Sequence, residues 1–244
     1  MTRTSVGLPD RVELEGDRLP DIDPSRSFII SAFGRKRSGK TFFNRRLFNA
    51  YPFDKLCIDV NGEADPGGEL EKIGAPLPSK WPQPTPGLLG EKRPKYRTLY
   101  YRADPGSATY DDDLDRAVGL AMNPQDRHAL VWCGEIGEFM PTATKTRPHM
   151  RRALMQNRHY KTSLLFDGPR PMNVNPLVLA QSDYVAIYDL PNPHDRQRVA
   201  ETIGFDPSEF YDECEETFRR GAHWFLLWDA EQHLLYRCPP LPVD

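Results

Sequence analysis

The chain has 244 residues, with 32 Lys and Arg against 35 Asp and Glu, a net charge of −3 and 39% apolar residues. That length is enough to bury one substantial α/β core, and the acidic balance excludes a generally basic nucleic-acid coat. No apolar run is long enough to span a bilayer, mean hydropathy is −0.63, and Cys57, Cys133, Cys214 and Cys238 form no C-x-x-C pair for zinc or a redox couple.

Residues 1–26 are polar, with Pro and acidic residues where a signal peptide would carry an apolar core. They read as an arm or irregular lead-in, and the whole as a soluble intracellular protein. Residues 28–33 (FIISAF) suit a buried strand. Next comes Gly34-Arg35-Lys36-Arg37-Ser38-Gly39-Lys40-Thr41, which matches G-x-x-x-x-G-K-[ST], and residues 41–51 carry Phe43, Leu47 and Phe48 at near-helical spacing. Strand, glycine loop and helix form the context of a phosphate-cradling P-loop. All eight residues are nucleotide-binding candidates: the glycines let backbone N–H groups turn inward, and the helix N-terminus adds partial positive charge. Lys40 is expected to meet the β- and γ-phosphates of ATP, and the Thr41 hydroxyl to meet Mg²⁺.

Residues 55–60 (KLCIDV) make a short strand closed by Asn61-Gly62. Pro and Gly are dense from 63 to 94, including Pro76, Pro78, Pro82, Pro84 and Pro86, which excludes a long helix or central strand. A surface insertion at about 63–96 is expected, with Lys92, Arg93, Lys95 and Arg97 as a basic cluster. Strands are predicted at 98–103 and 128–133 with a helix over 111–122 between them. A basic helix follows over 148–160. Between Lys145 and Arg170 lie Arg147, Arg151, Arg152, Arg158 and Lys161, against one acid, Asp167. A solvated face accounts for both basic clusters as well as a nucleic-acid surface does.

Strands at 162–166 and 184–188, helices at 194–203 and 207–219, and a closing pair of strands at 224–228 and 234–237 complete the chain. The alternation predicts an α/β P-loop NTPase of the RecA-like type. It would be a single domain over 27–244 with a mostly parallel central sheet covered by helices on both faces. Ligands then sit at the carboxyl ends of the strands, where the loops at Gly34, Asp59, Asp104, Glu135 and Asp167 emerge.

Hydrolysis needs an acid in the metal shell and a group that orients water. Leu130-Val131-Trp132-Cys133-Gly134-Glu135 has the shape of a Walker B strand, with Glu135 placed to polarise water and Gly134 where the metal-side Asp would stand. Glu135 itself could serve the metal, Asp59 or Asp104 could reach in, or Mg²⁺ could rest on Thr41, phosphates and water. Small-molecule kinases place the metal acid on the strand beside the P-loop strand, and hydrolytic motors have another strand between. The candidate at 98–103, which falls in sequence between the P-loop and Glu135, favours the motor.

The chain resembles the FtsK–HerA superfamily of ring-forming P-loop ATPases that translocate DNA, and within it the viral genome-packaging ATPases. The likeness rests on residues 34–41 and on Glu135-Ile136-Gly137-Glu138-Phe139. It extends to Gln156-Asn157-Arg158-His159-Tyr160 before a strand, Arg170-Pro171 after it, and the segment from Asp183 to Tyr188. Gly134 departs from that pattern, as does Pro169, which stands where a sensor Gln would precede Arg-Pro.

The resemblance implies a homo-oligomeric ring with ATP at subunit boundaries, non-sequence-specific binding of double-stranded DNA, and a capsid or membrane portal partner. It places the protein in the host cytoplasm or at the packaging vertex of a virion. It also implies that a neighbour's Arg acts on the phosphates, with Arg158 and Arg170 as candidates and Arg151 or Arg152 in reserve. The alternatives are a nucleotide-binding assembly protein with weak turnover, and a nucleoside or nucleotide kinase.

Overall fold

The structure, a computed structural model, describes residues 10–14, 19–62, 64, 68, 70–74, 76–82, 96–122, 127–141 and 146–242. Lys92, Arg93, Lys95 and Lys145 of the two basic clusters, and Pro84 and Pro86 of the proline-rich stretch, lie outside the described residues.

The strands are β1 (Asp10–Glu13), β2 (Ile29–Phe33), β3 (Asp54–Asp59), β4 (Glu71–Lys72), β5 (Thr98–Arg102), β6 (Ala129–Cys133), β7 (Thr162–Gly168), β8 (Tyr184–Ile187), β9 (Phe225–Asp229) and β10 (Leu234–Cys238). Among the described residues they form one ten-stranded sheet in the order β1-β10-β9-β8-β2-β7-β6-β3-β5-β4. Pairing is parallel throughout except where β9 meets β8 and β10. The centre is made by β2, β6 and β7, whose residues are all buried, as continuous apolar runs in a covered parallel sheet require.

Alternate residues of those strands feed two layers. Ile30, Ala32, Leu130, Trp132 and Leu165 pack with Phe43 and Phe48 of α1 (Lys40–Ala50). Ile29, Phe33, Val131, Cys133, Leu164 and Phe166 point the other way. There they meet a row of helices: α2 (Tyr110–Ala121), α4 (Pro148–Gln156), α5 (Pro176–Gln181), α6 (Pro193–Ile203) and α7 (Pro207–Arg219), each touching the next. The short α3 (Ile136–Phe139) lies on the same side. Helices cover both faces, but unequally.

Three of these helices start in the same way. Asn175, Asn192 and Asp206 accept hydrogen bonds from backbone N–H groups of the first turn, and Pro176, Pro193 and Pro207 follow at the first helical position. Gly204, at φ 75°, ends α6 as expected.

Several expectations change. The lead-in is not wholly irregular, because residues 10–13 add a parallel edge strand to β10. The basic helix stops at Gln156 instead of running to 160, and residues 157–161 form turns. The strand between the P-loop strand and the Glu135 strand is β7; β5 lies beyond β3, on the far side of β6. Arg97 is buried and paired with Glu71, so it is no part of a solvated basic face.

Candidate functional site

At the end of β2 the chain turns through Gly34, at φ 151°, where an added Cβ would lie 2.6 Å from Tyr188 Cβ. Gly39, at φ 113°, opens α1, and a Cβ there would come within 3.1 Å of the Tyr188 ring. Only glycine suits both positions. Arg37 between them also takes a left-handed conformation, at φ 63°. The loop is held from outside as well. Arg35 N donates to Asp189 O at 3.0 Å, Arg35 Nε pairs with Asp189 Oδ2 at 2.8 Å, and His223 Nδ1 donates to Ser38 O at 3.0 Å.

Beside this loop lies a cavity of about 260 Å³, walled by Lys36, Arg37, Lys40 and Thr41 on one side and by Asp59, Asn61, Gly134, Glu135 and Asp167 on the other. Lys40 Nζ donates to the Gly34 and Arg35 carbonyl oxygens at 2.7 and 2.9 Å, curling back over the loop. Ser38 Oγ is buried without a hydrogen-bond partner among the described residues.

Glu135 faces Lys40 across this space in a strained backbone conformation, φ 60° and ψ 67°. Its Oε1 accepts from Asn61 Nδ2 at 3.2 Å. Burial raises its pKa above the ordinary glutamate value, and the charge of Asp167 adds to that, while Lys40 pulls it back. Asp167 is itself raised by burial against donors from Glu135 N, Trp132 and Asn44.

Of the acids considered for the metal, Asp59 reaches the cavity, but Asp104 does not; it is exposed and accepts from Gly106 N at 2.9 Å in a local turn. Among the described residues no group of three or more His, Cys, Asp or Glu side chains is arranged to hold a metal ion alone. No helix among them is long and apolar enough to cross a membrane.

The arginines go elsewhere. Arg158 stands before β7, at the opposite end of the sheet, 3.5 Å from Asp183 Oδ1 and 74% exposed. A larger, open hollow of about 660 Å³ surrounds it with His159 and Asp183. That hollow lacks the glycine loop and helix N-terminus that hold phosphates, so volume does not make it the nucleotide site. Arg170 is at the carboxyl end of β7, but its Nε donates to the buried Asp195 Oδ2 at 2.9 Å. Arg151 and Arg152 are exposed on α4.

Asn61 and Asn44 were not singled out as site residues in the sequence, and Asp167 was placed at the ligand end of the sheet without a role. A signal existed for Asp167, the one acid closing the apolar run 162–166.

Strand, glycine loop and helix, with β7 separating the P-loop strand from the strand that presents Glu135, define a P-loop NTPase fold. No protein-family model matches the chain, and no curated protein matches it by sequence.

Solved structures do match. The genome packaging NTPase B204 from Sulfolobus turreted icosahedral virus 2, in complex with AMP, superposes with a TM-score of 0.67 at 15% identity, over 91% of this chain and 100% of that one. The same NTPase in complex with ATP-gammaS gives 0.65 at 16% identity, again over 91% and 100%. B204, the DNA-packaging ATPase from Sulfolobus turreted icosahedral virus, gives 0.62 at 16%, over 89% and 100%. At such identity the likeness is one of fold, and it extends over almost the whole chain.

Proposed function

We propose that the chain is an ATPase that moves double-stranded DNA, of the kind that packages a viral genome into a preformed capsid. The observation that carries the reading is the cavity that sets Lys40 against Glu135 with β7 between their strands. Phosphate oxygens of ATP would take over the Lys40 hydrogen bonds now made to Gly34 O and Arg35 O. Glu135 would orient and deprotonate the attacking water, a task suited to a carboxylate whose pKa burial has raised. Thr41 and Glu135 line the wall with hard oxygen donors, which suit Mg²⁺. When bound, that ion supplies positive charge against the β- and γ-phosphates.

The DNA half is supported by the similar structures, which are named for genome packaging, and by the exposed Arg151, Arg152 and Arg158. Such side chains would grip phosphates without reading sequence. In a homo-oligomeric ring, Arg158 is the better of the two arginines to reach a neighbour's nucleotide, because Arg170 is engaged by Asp195. A capsid or membrane portal partner and a place in host cytoplasm or at the packaging vertex belong to the same reading.

The test is ATP hydrolysis with and without duplex DNA of unrelated sequences. Turnover should rise with any duplex and fall about 10²–10⁴-fold in Glu135→Gln, with ATP binding retained. Normal turnover in Glu135→Gln would remove the catalytic assignment. Gly134 and Pro169 favour a second reading, a nucleotide-driven assembly protein whose turnover stays near background. Robust hydrolysis by wild type would dismiss it. The kinase alternative gains nothing from a glutamate set two strands from β2.

A further inference from the structure

The strand expected to end in a metal-side acid ends in Gly134, yet nothing there demands a glycine. A Cβ at Gly134 meets only Ile58 O, at 3.7 Å, and its φ is not positive. One strand nearer the P-loop, β7 places Phe166 opposite Cys133 and Asp167 opposite Ala32. Asp167 therefore stands level with Gly134, about 4.8 Å across one strand spacing. We propose that Asp167 supplies, from β7, the metal-side carboxylate that β6 lacks, holding the magnesium ion of bound nucleotide through a water molecule. This rests on the nucleotide reading of the cavity.

Hydrogen-bond capacity separates Asp167 from the other buried acid on the wall. An ionised carboxylate accepts at about four lone-pair sites. Asp59 has filled them: Asn61 N at 3.0 Å and Gly62 N at 2.8 Å bind Oδ1, while Ala64 N at 2.8 Å and the Tyr100 hydroxyl at 3.0 Å bind Oδ2. Asp59 builds its own loop.

Among the described residues Asp167 receives three donors: Glu135 N at 3.1 Å on Oδ1, with Trp132 Nε1 at 2.9 Å and Asn44 Nδ2 at 3.1 Å on Oδ2. One acceptor site on Oδ1 remains, in a residue that shares the cavity wall with Lys40 and Thr41. Asn44 lies one turn along α1 from Thr41, so the donors that orient this acid tie it to the P-loop helix. Mg²⁺ keeps several of its waters, so an acid one water away is a normal holder for it.

The experiment measures affinity, not turnover: a fluorescent non-hydrolysable ATP analogue is titrated in excess EDTA and in Mg²⁺. Asp167→Asn should keep its affinity in EDTA within about twofold and lose about 10–100-fold of the gain that Mg²⁺ gives wild type. Adding Gly134→Asp to Asp167→Asn should restore that gain.

Asp167→Asn with the full Mg²⁺ gain would overturn the proposal. Should that variant fail to fold, Gly134→Asp alone decides: a rise of less than about threefold in the Mg²⁺ gain supports an acid already in place, and any larger rise contradicts it. Wild type that binds the analogue in neither buffer would sink the nucleotide reading and this proposal together. Binding without any Mg²⁺ gain would sink the proposal alone.

Discussion

At the carboxyl ends of β2, β6 and β7, Lys40, Glu135 and Asp167 crowd one cavity beside left-handed Arg37 and Glu135. At the amino ends of β7 and β8, Arg158 and Asp183 meet at 3.5 Å beside an open hollow, with Lys161 left-handed at φ 51° just before β7. Strain and buried charge collect where a ligand must be held in one geometry, and costs of that kind persist where the surroundings enforce them. The amino end has left-handed Lys161 and a carboxyl raised by burial at Asp183, but no glycine loop or helix N-terminus beside them, and its Arg158 is 74% exposed. Its larger hollow is a property of shape, and the phosphate-holding features lie at the carboxyl end.

The sharpest way to break the contrast is Gly34→Ala. Backbone strain of about 1–3 kcal/mol and overpacking of about 1–3 kcal/mol against Tyr188 should add, lowering Tm by about 2–4 °C per kcal/mol and abolishing ATP binding. A variant with wild-type melting and affinity would show that the loop is laxer than drawn. Arg170→Ala comes next, because it leaves the buried Asp195 with Met172 N at 3.2 Å as its remaining partner at that point. Arg170 is 44% exposed, so solvent screens the pair, and a loss of about 1–2 kcal/mol in thermal unfolding is expected.

Arg158→Ala should cost less than about 0.5 kcal/mol, as exposed pairs do, while weakening DNA binding or assembly. An equal stability loss at Arg158 and Arg170 would erase the distinction between them. The smallest effect is in pH dependence. Burial holds the Asp183 pKa above its ordinary value, and Arg158 pulls it down. A raised carboxyl favours the fold below its unfolded value, near pH 4, and that contribution is lost as pH rises through the folded value. Arg158→Ala should raise Asp183 further and steepen the loss of stability from pH 4 upward. Asp183→Asn should flatten it, as pH-resolved melts would show.

Much of this was legible in the sequence, for identifiable reasons. The buried strands 129–133 and 162–168 announce themselves as apolar runs, and α7 (Pro207–Arg219) is bracketed by Asp206-Pro207 and its last basic residues. The loop at 34–41 and Glu135 stand in local sequence patterns, and the structure brings them to one cavity. Strand order was not legible, since crossovers free spatial neighbours from chain order, and β7 rather than β5 came to lie beside β2. Asp167 shared that fate: its role depends on which strand flanks β2. The short α5 (Pro176–Gln181) was passed over although Asn175-Pro176 carries the same start signal as Asn192-Pro193, because six residues are too few to show a period. β1 escaped notice because an edge strand of sequence DRVE, with residues 11–13 exposed, has no apolar run.

The carboxyl-end cavity, with its own P-loop, is the proposed seat of nucleotide chemistry. Steady-state ATP hydrolysis by pure protein, with saturating duplex DNA, on wild type and Lys40→Ala tests it most directly. Wild type should turn over, and Lys40→Ala, with its fold intact, should lose about a hundredfold or more. Equal turnover in the two proteins would contradict it.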